Sequence, residues 1–265
     1  MNFRAVSAGF KQQYTQFFAD PQWVIPSLVS PFLFTMVMLF MYSGNGAVDS
    51  PIVLQAVLGG GVLGMWANTL FASSFTISYD RMNGTMESMM ISPTGIFDIL
   101  VGRSAWNTLI GLVNALAVFV IAEVMFGTSL TLADPLLFFI TLALTLFSLS
   151  CVGMLIATAF VLTRMGRVLS VIAEYPIYVL SGALVPITIL PHNLQYASYI
   201  LAPAWGVDAV RGAAVGSGWE SMFGTSILID LAVMLMLSAV MLVVAYFIMR
   251  TVERRILDSG SATRY

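Results

Sequence analysis

Long apolar runs separated by short polar segments set the pattern of this chain. The first, Trp23 to Tyr42, carries no charge, and its 20 residues would cover about 30 Å as a helix, enough to cross a bilayer. Asp20 and Pro21 before it read as N-cap and first helical residue, and Pro26 and Pro31 are expected to kink its first half. Ser50 and Pro51 repeat the signal ahead of a second run, Ile52 to about Ile77, where Gly59, Gly60, Gly61 and Gly64 permit close helix contact. Further runs cover about Ser104–Phe126, with Glu123 near the far end, and Pro135–Thr163 after Asp134. Arg164 and Arg167 mark a polar turn before a fifth run, Val168–Val185, and a sixth covers about Thr225–Met249. The pattern predicts an all-α protein with six transmembrane helices between residues 21 and 250.

Three segments fall outside the runs. In residues 1–20, Phe3, Val6, Phe10, Tyr14 and Phe17 recur at spacings of three and four, which predicts an amphipathic helix lying in the membrane interface. Pro186–Phe223 mixes Pro186, Pro191 and Pro203 with Tyr196, Tyr199, Trp205 and Trp219. It reads as one or two short helices that enter the outer leaflet and return. The polar tail, 251–265, is expected to fray.

Composition agrees: 59% of the 265 residues are hydrophobic and 9% charged, with a mean hydropathy of +0.92, against roughly 25% charged in a soluble domain. Basic residues do not cluster, so nothing points to nucleic acid. The single Cys151 rules out an internal disulfide, and the single His192 excludes a histidine-based metal cluster. The first 20 residues lack an apolar core and a small-residue cleavage site, so no cleavable signal is expected. With the N-terminus in the cytoplasm, ten of the 11 basic residues fall inside and only Arg211 outside, which predicts that both ends are cytoplasmic.

The longest polar interruption, Ser78–Arg103, holds Asp80, Arg81, Glu87, Asp98 and Arg103. Met82, Met86, Met89 and Met90 share one helical face. Gly84 and Pro93 bracket a short helix at Gly84–Ile91, and a second is predicted at Thr94–Val101. A methionine face adapts to a partner's groove, or else packs on its own membrane domain.

No catalytic set assembles. Ser181-Gly182 and His192 would be needed for an intramembrane serine protease, but two prolines separate them and no Gly-x-Ser-x-Gly elbow is present. There is no His-Glu-x-x-His and no Gly-x-x-x-x-Gly-Lys-Ser/Thr, so the chain has no P-loop of its own for ATP. None of the runs carries the polar stripe of a channel. Glu123, Glu174 and Asp230 lie within apolar runs, where charge is costly unless paired or wet. Glu123 and Asp230 are near enough to the boundary to reach interfacial water. Glu174, seven residues after Arg167, either pairs with Arg167 or Arg164 or lines a conduit.

Tyr79-Asp80-Arg81-x-x-Gly84-Thr85-x-Glu87, followed by Ser92-Pro93, resembles the Glu-Arg-x-x-Gly-Thr-x-Glu…Pro signature of type-2 ABC exporter permeases, with Asp80 where the family often has Glu. Ser181-Gly182-Ala183-Leu184-Val185-Pro186 with Leu190-Pro191 is similar to that family's Ser-Gly…Pro…Leu-Pro segment. Pro203 with Asp208-Ala209-Val210-Arg211 is similar to its Pro…Asp-Ala-Leu-Arg segment. The three occur in the family's order on the predicted sides of the membrane.

The resemblance implies a permease of the bacterial-type cytoplasmic membrane that pairs with a second permease, identical or different. Cytoplasmic ABC ATPase subunits would supply ATP and magnesium; this chain itself would hold no cofactor and no metal. Gly84–Ile91 would be the coupling helix between spans two and three, with Arg81, Gly84, Thr85, Met86, Glu87, Met89 and Met90 at the ATPase contact. Ser181, Gly182, Pro186, Pro191, Asp208 and Arg211 would belong to re-entrant helices gating the outer side, with Asp208 and Arg211 placed to pair on one helix face. Candidates for the conduit are Trp66, Asn68, Phe71 and Phe75 on the second span and Glu174, Tyr175, Tyr178 and Val179 on the fifth; each faces either the conduit or a neighbouring helix. This apolar, aromatic lining suits a drug-like amphiphile, a hydrophobic peptide or a lipid. A polysaccharide or lipid-linked glycan is the alternative within the family, and a protease or a non-transporting membrane subunit the alternative outside it.

Overall fold

A computed structural model describes residues 2–19, 21–43, 54, 56–64, 66, 80, 84, 95–126, 132–161, 172, 175–184 and 186–259. The described residues are helical or irregular, without a strand. In chain order the helices with both ends defined are α1 (Phe3–Ala19), α2 (Pro21–Ser43), α3 (Ile96–Phe126), α4 (Pro135–Val161), α5 (His192–Ile200), α6 (Ala202–Val215) and α7 (Ile227–Ser259). Helical residues are also described at 54, 56–64, 66, 172 and 175–180.

Three of these are long and apolar enough to cross a membrane: Ile96–Val124, Pro135–Thr158 and Ile227–Thr251. Their roles differ. In the first two, 39% and 61% of the apolar window is buried inside the protein, whereas in the third only 17% is. α4 is therefore central and α7 peripheral. Along α7, Asp230, Met234, Ser238, Ala245 and Met249 turn inward at spacings of four and seven, while Leu228, Met236, Val240, Val243 and Phe247 face out. Apolar side chains facing outward along a helix this long match a hydrocarbon solvent rather than water. The protein is a multi-pass membrane protein.

The element ends depart from the sequence reading in two places. The short helix expected at Thr94–Val101 and the span expected from Ser104 are one continuous α3: Arg103 is a good helix former, and the cost of about 1 kcal/mol for Gly102 in a helix interior is offset by the close approach of α1 that it permits. At the other end, α7 continues as helix through Arg250 to Ser259, beyond the point where the polar tail was expected to fray. The 186–223 stretch, expected to hold one or two short helices, contains α5 and α6, preceded by a 3-10 turn at Ile187–Ile189. α6 stands out: every residue from Ala202 to Ala214 is buried, between α4 and α7.

Glycine sets the closest helix crossings. A Cβ on Gly60 would overlap the Thr35 backbone and one on Gly64 would overlap Pro31, so the 56–64 helix lies directly on α2. Likewise a Cβ on Gly9 would strike the Ile99 carbonyl and one on Gly102 the Val6 carbonyl, which seats α1 on the first turns of α3. Within a bilayer, hydrophobic exclusion does not drive helices together, so this close van der Waals approach carries much of the association.

Candidate functional site

Two polar clusters and an aromatic pair hold several of the sequence-marked residues that the structure describes. The first cluster lies at the base of the polar loop. Asp80, helical and buried, receives Arg103 Nη1 at 2.5 Å, with the side chains 7% and 3% exposed. One strong charge-assisted bond thus ties the loop motif to the second turn of α3. α1 packs on the same segment. The Asn2 backbone N–H donates to Asp98 Oδ2 at 2.7 Å, and the rings of Phe10, Tyr14, Phe17 and Phe18 surround Trp106 at centroid distances of 5.4, 5.0, 6.2 and 6.1 Å. The amphipathic N-terminal helix packs on α3 along Ala5, Gly9 and Gln13, while Phe3, Arg4 and Lys11 stay exposed.

The second cluster surrounds α6. Asp208, fully buried, collects donors from the segment that follows α6. Trp219 Nε1–H donates to Oδ1 at 2.9 Å and the Ser221 hydroxyl to Oδ2 at 2.6 Å, while the Met222 N–H is shared between the two at 3.2 and 3.0 Å. Ser221 Oγ accepts in turn from the Phe223 and Thr225 N–H groups, both at 3.2 Å, and the Thr225 hydroxyl donates to Asp230 on α7. Residues 219–225 therefore form a strap pinned by a buried carboxylate at each end. Trp205 stacks on Phe223 of this strap, with ring centroids 3.9 Å apart.

Arg211, 1% exposed, sends Nη2–H to the Ala183 carbonyl at 3.0 Å and places Nη1 3.9 Å from Met222 Sδ. The pairing of Asp208 with Arg211 expected from their helical spacing is not what the fold builds. A carboxylate saturated by four donor contacts has no lone pair to spare, and the longer arginine reaches past it to a carbonyl. That carbonyl belongs to a tight turn. Ser181 donates to Tyr178 O at 3.0 Å, and Gly182 adopts φ +75, a left-handed conformation that favours glycine. A Cβ on Gly182 would also crowd Ile187 and Met222 at 3.0 and 3.1 Å. Pro186 and Pro191 are the N-caps of the following 3-10 turn and of α5.

Among the conduit candidates, Trp66 is fully buried with its indole N–H lacking a partner among the described residues, and it meets Tyr178 edge-on at 6.1 Å. Tyr178 is 2% exposed and also meets Phe34 at 6.2 Å, whereas Tyr175, 65% exposed, turns outward. Asn68, Phe71, Phe75 and Glu174 lie outside the described residues. So do Arg81, Thr85, Met86, Glu87, Met89 and Met90. Of the expected ATPase contact only Gly84 is described, exposed and with φ +66.

The sequence reading missed the Asp80–Arg103 pair, although it marked both residues, and it missed Trp106 as the anchor of α1. Burial at long range has no signature in a linear pattern. Among the described residues no group of three or more His, Cys, Asp or Glu is placed to hold a metal ion.

No curated protein matches the chain. Residues 4–215, which run from the start of α1 to the end of α6 and include Asp80, Arg103, Asp208 and Arg211, match the family of ABC-2 type transporters. The chain belongs to the ABC-2 type transporter family and is a membrane permease subunit.

Proposed function

We propose that this permease is half of an ATP-driven exporter, crossing the cytoplasmic membrane six times with both termini inside. In this reading 52–77 and 168–185 supply two further spans beside α2, α3, α4 and α7. Gly84–Ile91 is the coupling helix that a separate ATPase grips through Arg81, Glu87 and the methionines. ATP and magnesium bind to that ATPase, and a second permease, of the same or a different kind, completes the conduit. The cargo is a hydrophobic or amphiphilic molecule, in keeping with the aromatic residues on spans two and five.

The observation that supports the lever most directly is the buried Asp80–Arg103 bond at the foot of the loop. Force applied to 81–91 by an ATPase reaches α3 through it, and α3 carries α1 by the Gly9–Gly102 crossing and the Trp106 cluster. Binding and hydrolysis in the partner would then move α1 and α3 as one body.

Co-purification tests this. The chain, expressed with the ATPase of a neighbouring reading frame, is expected to bring that ATPase through purification. Glu87→Arg or deletion of Gly84–Ile91 should abolish the association while the permease still folds. An undiminished complex in either variant would overturn the docking assignment.

A further inference from the structure

The described helices can be divided into two bodies that share one hydrophobic core, and a buried arginine also links them across the seam. In the first body the 56–64 helix lies on α2 through Gly60 and Gly64, and Tyr178 joins both by ring contacts to Phe34 and Trp66. The turn at 181–184 continues directly from Tyr178. In the second body α6 is wedged between α4 and α7, with a Cβ on Gly206 only 2.6 Å from Thr145 Oγ1 and 2.8 Å from Met234 Sδ. The strap at 219–225 is fastened to this body by Asp208 and Asp230.

Where the bodies meet, their packing leaves a small gap. A narrow apolar cleft of about 30 Å3 lies among Val57, Leu58, Gly61, Phe119, Phe138 and Leu142, and a Cβ on Gly61 would meet nothing within 4 Å. Side chains lining that gap lack van der Waals partners on one side.

Arg211 bridges that seam. It is rooted in α6 of the second body and donates to Ala183 O of the first, at the C-terminal end of the 175–180 helix where carbonyl dipoles favour a cation. Gly59 fits the same point: a Cβ there would lie 2.8 Å from Ala183 O and 3.8 Å from Arg211 Nη2. A buried guanidinium is costly unless its donors are satisfied, so the bond is made firmly when the seam is shut and is surrendered only when water enters.

We propose that Arg211 is the positioning residue that latches the 181–184 turn to the α6–strap body, and that releasing it opens that turn during transport. The inference rests on the permease reading, but its test needs no ATPase and no cargo, so the two fail separately. The experiment uses the full-length chain purified in detergent, with Cys151→Ser removing the lone native thiol and Ile187→Cys, a position 2% exposed, reporting the turn. A polar maleimide is the probe, and its labelling rate is the readout.

Arg211→Gln is expected to raise that rate about tenfold or more, since losing a hydrogen bond to a charged group shifts an equilibrium by at least that factor. Arg211→Lys, which keeps one donor able to reach Ala183 O, should restore most of the protection. Asp208→Asn frees the strap without touching Ala183, so a reporter at Met222→Cys should respond to it more than the one at Ile187→Cys. Unchanged labelling of folded Arg211→Gln overturns the latch. So does equal exposure of both reporters in all three variants, which would mean general loosening. If Arg211→Gln does not fold, Gly59→Ala, whose Cβ would lie 2.8 Å from Ala183 O and push that carbonyl off Arg211, should raise the labelling of Ile187→Cys, and unchanged labelling there would overturn the latch.

Discussion

Arg103 and Asp80 meet at 2.5 Å with both side chains sealed from solvent, which makes them a structural joint between the polar loop and α3. Removing one partner of a buried pair leaves the other charge inadequately compensated, at a cost of about 3–5 kcal/mol. Asp80→Asn is therefore expected to lower the thermal unfolding midpoint of the purified protein by several degrees. The double change Asp80→Leu with Arg103→Met should recover most of the loss. A single variant as stable as the parent would show the pair to be dispensable.

The crossing of α1 on α3 makes a sharper prediction because backbone, not a flexible side chain, occupies the space. Gly102→Leu has no room against Val6 and Phe10, so α1 should lift from α3 while the membrane core persists. Trypsin cleavage after the exposed Lys11 measures this. It should accelerate at least about tenfold if α1 loses even a modest part of its docking energy, whereas a rate equal to the parent's would mean that α1 is held elsewhere.

Gly60 and Gly61 are neighbours with opposite expectations. Gly60→Ala drives a methyl into the Thr35 backbone and should destabilise by about 1–3 kcal/mol. Gly61→Ala points its methyl toward the open apolar cleft and should be neutral or stabilise by up to about 1 kcal/mol, because alanine is the better helix former. Thermal unfolding of the two variants side by side checks the order, and the reverse order would contradict the register of the 56–64 helix on α2.

Asp208→Asn replaces an acceptor with an amide N–H facing the Ser221 and Met222 donors. The expected loss is about 1–3 kcal/mol. Intrinsic tryptophan fluorescence should change with it, since Trp219 gives up a charged acceptor and Trp205 stacks on the same strap. An unaltered emission spectrum would mean that the strap is held without this carboxylate.

Much of this protein is written in one dimension. A hydrocarbon solvent demands unbroken apolar helices, so run length and the Asp134-Pro135 signal located α4 to its first residue, and the Pro-rich stretch after the fifth run foretold the short α5 and α6. Glycines at 60 and 64 announced a close crossing without naming α2 as the partner. Charge spacing failed at Asp208 and Arg211, because two residues on one helix face are still free to choose partners 11 to 28 residues away.

What only the tertiary structure decided is which side chains the buried charges reach. Asp80 takes Arg103, Asp208 takes the strap, and Arg211 takes a carbonyl beyond it. Local periodicity records how a helix meets its solvent. The partner of a buried charge is chosen by the desolvation energy of the whole packed arrangement, which no stretch of sequence contains.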